Sequence, residues 1–146
     1  MGCEEDVTEA NKHITVAPGL GLYATPYLSI YKEILNMYDN ISFINSKGND
    51  NLTTIVTYTT DLLKKYGLKD INSIQKCANI IIYPKEYFCP LDYGTNKLSI
   101  TENTYTIHHY NASWLTTRMK IKRKIYLYII NNVVLNFFFK LYKRYR

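Results

Sequence analysis

From Arg118 to Arg146 the sequence carries nine basic side chains and no acid, flanking an apolar stretch from Ile125 to Phe139. Residues 1–117 hold the other nine bases and all twelve acids, a net charge of −3, so the formal +6 of the 146-residue chain describes neither part. The charge division predicts an acidic-leaning domain over 1–117 and a basic, aromatic-rich amphipathic tail over 118–146. With 47% apolar residues the chain can close a core and is not a disordered linker.

Two compositional features narrow the class. Tyrosine supplies 15 residues against a single tryptophan, Trp114. A tyrosine buries its ring while keeping its hydroxyl wet, which suits a polar cleft; a coding bias toward Ile, Asn, Lys and Tyr accounts for the same excess. The three cysteines, Cys3, Cys77 and Cys89, lack CxxC spacing, which argues against a zinc site or a disulfide framework and for a reducing compartment. A Cys77–Cys89 bridge is the alternative for an exported chain. Met1-Gly2-Cys3 runs straight into Glu4-Glu5-Asp6, so no signal peptide is expected.

Apolar spacing and turn residues set the expected elements. Residues 14–24 read as a strand or loop. A helix starts near Pro26 and runs to about Asp39, with Leu28, Tyr31, Ile34, Leu35 and Tyr38 on its buried face. Residues 46–50 form a turn, and a second helix spans Thr53 to Lys65, stopped by Gly67. Asn79–Tyr83 is a short buried strand ended by Pro84. Another strand within 97–107 leads into His108-His109. Short strands alternating with helices predict an α/β fold.

Four stretches then stand out: Met1 to Glu33 with its Gly19-Leu20-Gly21; Asp50 to Gly67 (DNLTTIVTYTTDLLKKYG); Ile80 to Pro90 (IIIYPKEYFCP); and Ser99 to Trp114 (SITENTYTIHHYNASW). In this order they resemble glycosyltransferase family 32 and the capsular-polysaccharide sugar transferases, over residues 1 to about 117. Ala112 stands where the family commonly has glycine. The resemblance implies the C-terminal portion of a GT-A-like nucleotide-diphospho-sugar transferase fold, lacking the N-terminal nucleotide-binding half. It also implies transfer of a sugar from a nucleotide-sugar donor to a glycan or lipid-linked acceptor, with Mn²⁺ or Mg²⁺ as cofactor in the complete enzyme.

A divalent cation stabilises the diphosphate leaving group, and a histidine at a strand end is stiff enough to ligate it. His109 and His108 are therefore the candidate metal ligands, with strand alternation and the spacing to Trp114 favouring His109. Ser113 and Trp114 are candidates for the diphosphate of the donor, through a hydroxyl and an indole N–H. Gly19 and Gly21 either let the backbone approach a bound sugar or make a tight turn. Thr53, Thr54 and Thr57 line the acceptor or donor pocket by the resemblance, or cap the helix they precede. Enzymes of this class hold the metal mainly through an Asp-x-Asp pair, and the sequence contains none. The chain alone is thus expected to be inactive, as a fragment of a longer reading frame or a degenerate product.

The tail reads as an in-plane helix on an anionic membrane surface, the inner face of a cytoplasmic membrane. Its apolar middle is short for a span. A solvated or core-packed tail and a transmembrane anchor are the alternatives, and nucleic acid is not the expected partner. The rival for the whole chain is a non-catalytic membrane-surface or interaction domain derived from such an enzyme.

Overall fold

The computed structural model describes residues 1–44, 48–111, 113 and 115–144. They form a mixed α/β architecture with short strands in two two-stranded sheets and, among the described residues, five helices. The chain divides into two compact units, Met1–Pro90 with Ile100–Ile107, and Leu91–Ser99 with His108–Arg146. This division follows packing, whereas the division at residue 117 follows charge.

In the first unit, β1 (Gly2–Glu5) pairs antiparallel with β2 (Thr15–Ala17). β3 (Gln75–Cys77) and β4 (Ile80–Ile82) make a hairpin whose two loop residues, Ala78 and Asn79, both have left-handed φ, 48° and 62°. That backbone is the one a two-residue hairpin turn needs to match strand twist. The two ladders meet at Gly2 and Tyr83: Cys3 N–H donates to Tyr83 O at 2.9 Å, and Tyr83 N–H donates to Met1 O at 3.0 Å.

Helix α1 (Ser29–Asp39) begins three residues after Pro26, because Tyr27 at φ 65° cannot join it. Its anchor is Ile30, fully buried, with Leu28, Tyr31 and Ile34 packed on the core as expected. Leu35 and Tyr38, expected on the buried face, stay 66% and 41% exposed, since the face that meets the core is centred on Ile30 and Ile34. Helix α2 (Ile55–Lys65) starts at the cap Thr54 and ends in a Schellman turn. Leu68 N–H donates to Leu63 O and Gly67 N–H to Lys64 O, both at 3.1 Å, with Gly67 at φ +87°. Thr60 ties α2 to β2, its hydroxyl accepting from Val16 N–H at 2.9 Å. The core gathers Ile14, Val16, Ile30, Leu63 and Ile82 from four of these elements and the loop before β2. The three cysteines are all buried.

After β4 the one-turn helix α3 (Lys85–Phe88) is capped from afar, Asp6 Oδ1 accepting from Lys85 N–H at 3.0 Å. The strand expected within 97–107 does not form. Thr101, Asn103 and Thr104 spend their side chains on Glu86 instead: Thr101 Oγ1 and Asn103 Nδ2 donate to its carboxylate (2.8 and 3.0 Å), and Thr104 Oγ1 donates to its carbonyl (2.9 Å). Side-chain bonds of this kind offer the backbone a turn in place of a ladder.

The second unit is built from a tight loop and two helices. Asp92 organises the loop, its Oδ1 accepting from the amide and the hydroxyl of Thr95, both at 2.7 Å. Helix α4 (Thr117–Asn131) lies on this loop through Arg123, which donates to Tyr93 O at 2.9 Å and stacks 4.3 Å over the Tyr93 ring. The tail, expected as one helix, is two. Asn132 is extended, at φ −97° and ψ 117°, and its Oδ1 caps α5 (Val133–Arg144) by accepting from Leu135 N–H at 3.1 Å. No single helix among the described residues is long and apolar enough to cross a membrane.

Candidate functional site: a tyrosine-walled cleft

Gly2, Gly21 and Phe88 form the base of the site. A Cβ on Gly2 would stand 2.8 Å from Phe88 Cδ2, and one on Gly21, which sits at φ +80°, would stand 3.5 Å from the same ring. The two glycines thus let the Phe88 ring lie flat against backbone. Above it the sequence Tyr83-Pro84-Lys85-Glu86-Tyr87 sends two tyrosine rings to the same side, 5.1 Å apart, because α3 turns the chain by one helical turn. Tyr83 meets Phe88 edge to face at 5.5 Å.

Tyr105 completes the wall. Its amide and that of Thr106 both donate to Tyr87 O, at 2.9 and 3.3 Å, and its ring stacks on Tyr87 at 6.2 Å and 22°. The turn at 101–104, clamped by Glu86, sets this register. Between these rings and the segment Gly21–Thr25 lies a cleft of about 630 Å³. Tyr23 and Tyr105 are 94% and 76% exposed, so both rings are open to an incoming ligand.

The electrostatics of the cleft are simple. None of the side chains lining it is charged. Tyr31 belongs to the lining, and its hydroxyl is buried without a hydrogen-bond partner among the described residues. Burial pushes its phenol above the ordinary range, which keeps the O–H available as a donor. A buried hydroxyl left unpaired costs on the order of 1–3 kcal/mol. The arrangement suits a neutral molecule with alternating apolar faces and hydroxyls, and its side chains offer no charge to a diphosphate.

Of the residues singled out in the sequence, Gly21 reaches this cleft. Gly19 lies in the tight turn after β2, where Leu20 N–H donates to Ala17 O at 3.1 Å. Thr54 caps α2, accepting from Thr57 N–H at 3.4 Å, and Thr53 N–H donates to Asn51 Oδ1; none of the three lines the cleft. His108 and His109 are both exposed and follow no strand, so the alternation that favoured His109 has no basis in the backbone. His108 packs edge to face on Tyr110, with ring centres 4.3 Å apart. Ser113 is exposed in a turn, and Trp114, like Ala112, lies outside the described residues.

Among the described residues no group of three or more His, Cys, Asp or Glu is placed to hold a metal ion. Two exposed histidines are an incomplete donor set for a cation that prefers carboxylate oxygens. The residues in hand therefore do not fit a metal centre by themselves, and no chemical step is routed through one. The residues that sequence reasoning passed over are Tyr23, Tyr31, Tyr83, Tyr87, Phe88 and Tyr105. Their advance signals were the tyrosine excess and their place in three of the stretches that stood out in the sequence, neither of which points to them one by one. No protein-family model, no curated protein and no solved structure matches the chain.

Proposed function

We propose that this chain is the acceptor-facing portion of a GT-A-like glycosyltransferase, an enzyme moving a sugar from a nucleotide-sugar to a glycan or lipid-linked acceptor, and that the tyrosine cleft takes a neutral sugar of the acceptor. One observation carries the reading. Three of the four stretches that resemble the sugar transferases line this single cleft: Gly21, Tyr23 and Tyr31 from the first, Tyr83, Tyr87 and Phe88 from the third, and Tyr105 from the last. The remaining stretch, Asp50 to Gly67, supplies α2, which supports β2 through Thr60.

In this reading the stacked Tyr87 and Tyr105 rings receive the C–H face of a pyranose, with the exposed Tyr23 ring at the other side of the cleft. The cleft orients the acceptor and excludes water from one face of it. It holds no carboxylate or imidazole to take a proton, so the base and the metal donors of the reaction belong elsewhere in the complete enzyme. His109, Ser113 and Trp114 remain the donor-side candidates by resemblance alone.

Saturation-transfer NMR on the full chain with a panel of neutral oligosaccharides tests the cleft. Stacking worth roughly 0.5–1.5 kcal/mol corresponds to about 2- to 10-fold in affinity. Tyr87→Ala and Tyr105→Ala should each weaken a weakly bound oligosaccharide by about that factor, while Tyr128→Ala on α4 should not. Binding that both cleft substitutions leave untouched, or no transfer to any sugar, would overturn the proposal.

A further inference from the structure

The two tail helices distribute their apolar and basic residues in different ways, and the difference has a geometric meaning. On α5, one residue per 100° places Asn136, Lys140, Lys143 and Arg144 on one side. Leu135, Phe138 and Tyr142 fall on the other, all exposed, while Phe137, about 60% exposed, sits at the edge beside Arg144. Phe139 turns toward α4, its ring 6.3 Å from Tyr126 and covered by Lys143 Nζ at 4.8 Å. On α4 the segregation runs along the axis. Arg118, Lys120, Lys122, Arg123 and Lys124 occupy the first half, and Ile125 to Ile130 is apolar on every side. The two axes differ in direction by 103° across the break at Asn132.

We infer that the tail is a monotopic membrane anchor in which α5 lies in the plane of an anionic bilayer and α4 stands nearly upright on it. An in-plane helix sinks its apolar face about 5–10 Å into the boundary between headgroups and acyl chains. From that depth an upright α4 carries its apolar end, Ile125–Ile130, about 9 Å outward at 1.5 Å per residue. Arg118, Lys120, Lys122 and Lys124 then emerge at the level of the lipid phosphates, while Arg123 stays on Tyr93. An α4 lying flat would instead press basic side chains into the acyl region or leave an apolar half-helix in water. Lipid is favoured over nucleic acid because the exposed Leu135, Phe138 and Tyr142 form an apolar face turned away from the bases of α5, which burial in acyl chains rewards and phosphate contacts do not use. This inference rests on the second unit alone and is independent of the reading of the cleft.

The full chain is tested by co-sedimentation with phosphatidylcholine vesicles, with and without phosphatidylserine, over a salt series. Binding should require phosphatidylserine and fall about 10-fold from low to high salt without vanishing, since screening weakens the charge attraction but not apolar burial. The double variant Leu135→Ser, Phe138→Ser should lose at least about 10-fold in partitioning; both side chains are exposed, so the fold is not at stake. Depth is read by fluorescence with brominated lipids: Phe138→Trp should be quenched and Lys122→Trp should not, against the Trp114 background. Equal quenching at both positions would overturn the upright α4. Binding to single-stranded DNA but not to vesicles, or to neither, would overturn the anchor.

Discussion

A methyl group added at residue 2 would meet a backbone oxygen. The Cβ of an alanine there stands 2.9 Å from Leu20 O as well as 2.8 Å from Phe88 Cδ2, and only the ring is free to move. Gly2→Ala should therefore destabilise the first unit by about 1–3 kcal/mol, the usual range for overpacking. A lower urea midpoint at unchanged slope is the expected readout. Gly19→Ala is the matched control, because a Cβ at Gly19 meets nothing within 4 Å, and its midpoint should hardly move. The comparison reverses the emphasis of the sequence, in which the Gly19-Leu20-Gly21 spacing is conspicuous and Gly2 is not. A close approach is a property of what comes near, and Phe88 lies 86 positions along the chain from Gly2.

At the level of elements, the 101–104 turn depends on one carboxylate. Glu86→Ala removes the acceptor for Thr101 and Asn103. The expected loss is about 1 kcal/mol, since net hydrogen bonds of this kind are worth that order. The amides of Tyr105 and Thr106, which bond Tyr87 O, should exchange about 5- to 10-fold faster as the segment opens locally. Hydrogen exchange resolved by residue decides it, and unchanged protection at both amides would show that Glu86 does not hold the turn. The same segment marks where sequence reading stops working. Helices α1 and α2 and strand β4 are legible, because each carries apolar residues at its own period and the last two also end on a local stop signal, Gly67 and Pro84. The run KLSITENTYTI has the alternation of a strand, but its threonines bond a glutamate 15 to 18 residues upstream, which no local pattern reveals. Asn132 likewise divides one apolar run into two helices by capping the second. Of the cleft, the aromatic character was legible and the membership was not, since its walls come from separate segments of the sequence, with Tyr31 and Tyr83 52 positions apart.

At the scale of the whole chain, neither unit offers a cradle for a diphosphate among the described residues. No side chain lining the cleft of the first unit is charged, and the bases of the second are spread over helices rather than converging on a concave site. Calorimetry of the chain with manganese and a panel of UDP- and GDP-sugars should accordingly detect no micromolar binding; a micromolar complex would mean that the donor site is contained in these residues. The burial of the three cysteines has a different kind of consequence. Cys3, Cys77 and Cys89 all belong to the first unit, and burial together with the nearby Asp6 pushes the Cys3 thiol up to about 12. The closed unit therefore shows an alkylating reagent no thiolate at Cys3 near neutral pH, and each modification of that residue records an opening of the sheet. The chain carries its own clock for that opening, one that runs only while the layer is apart.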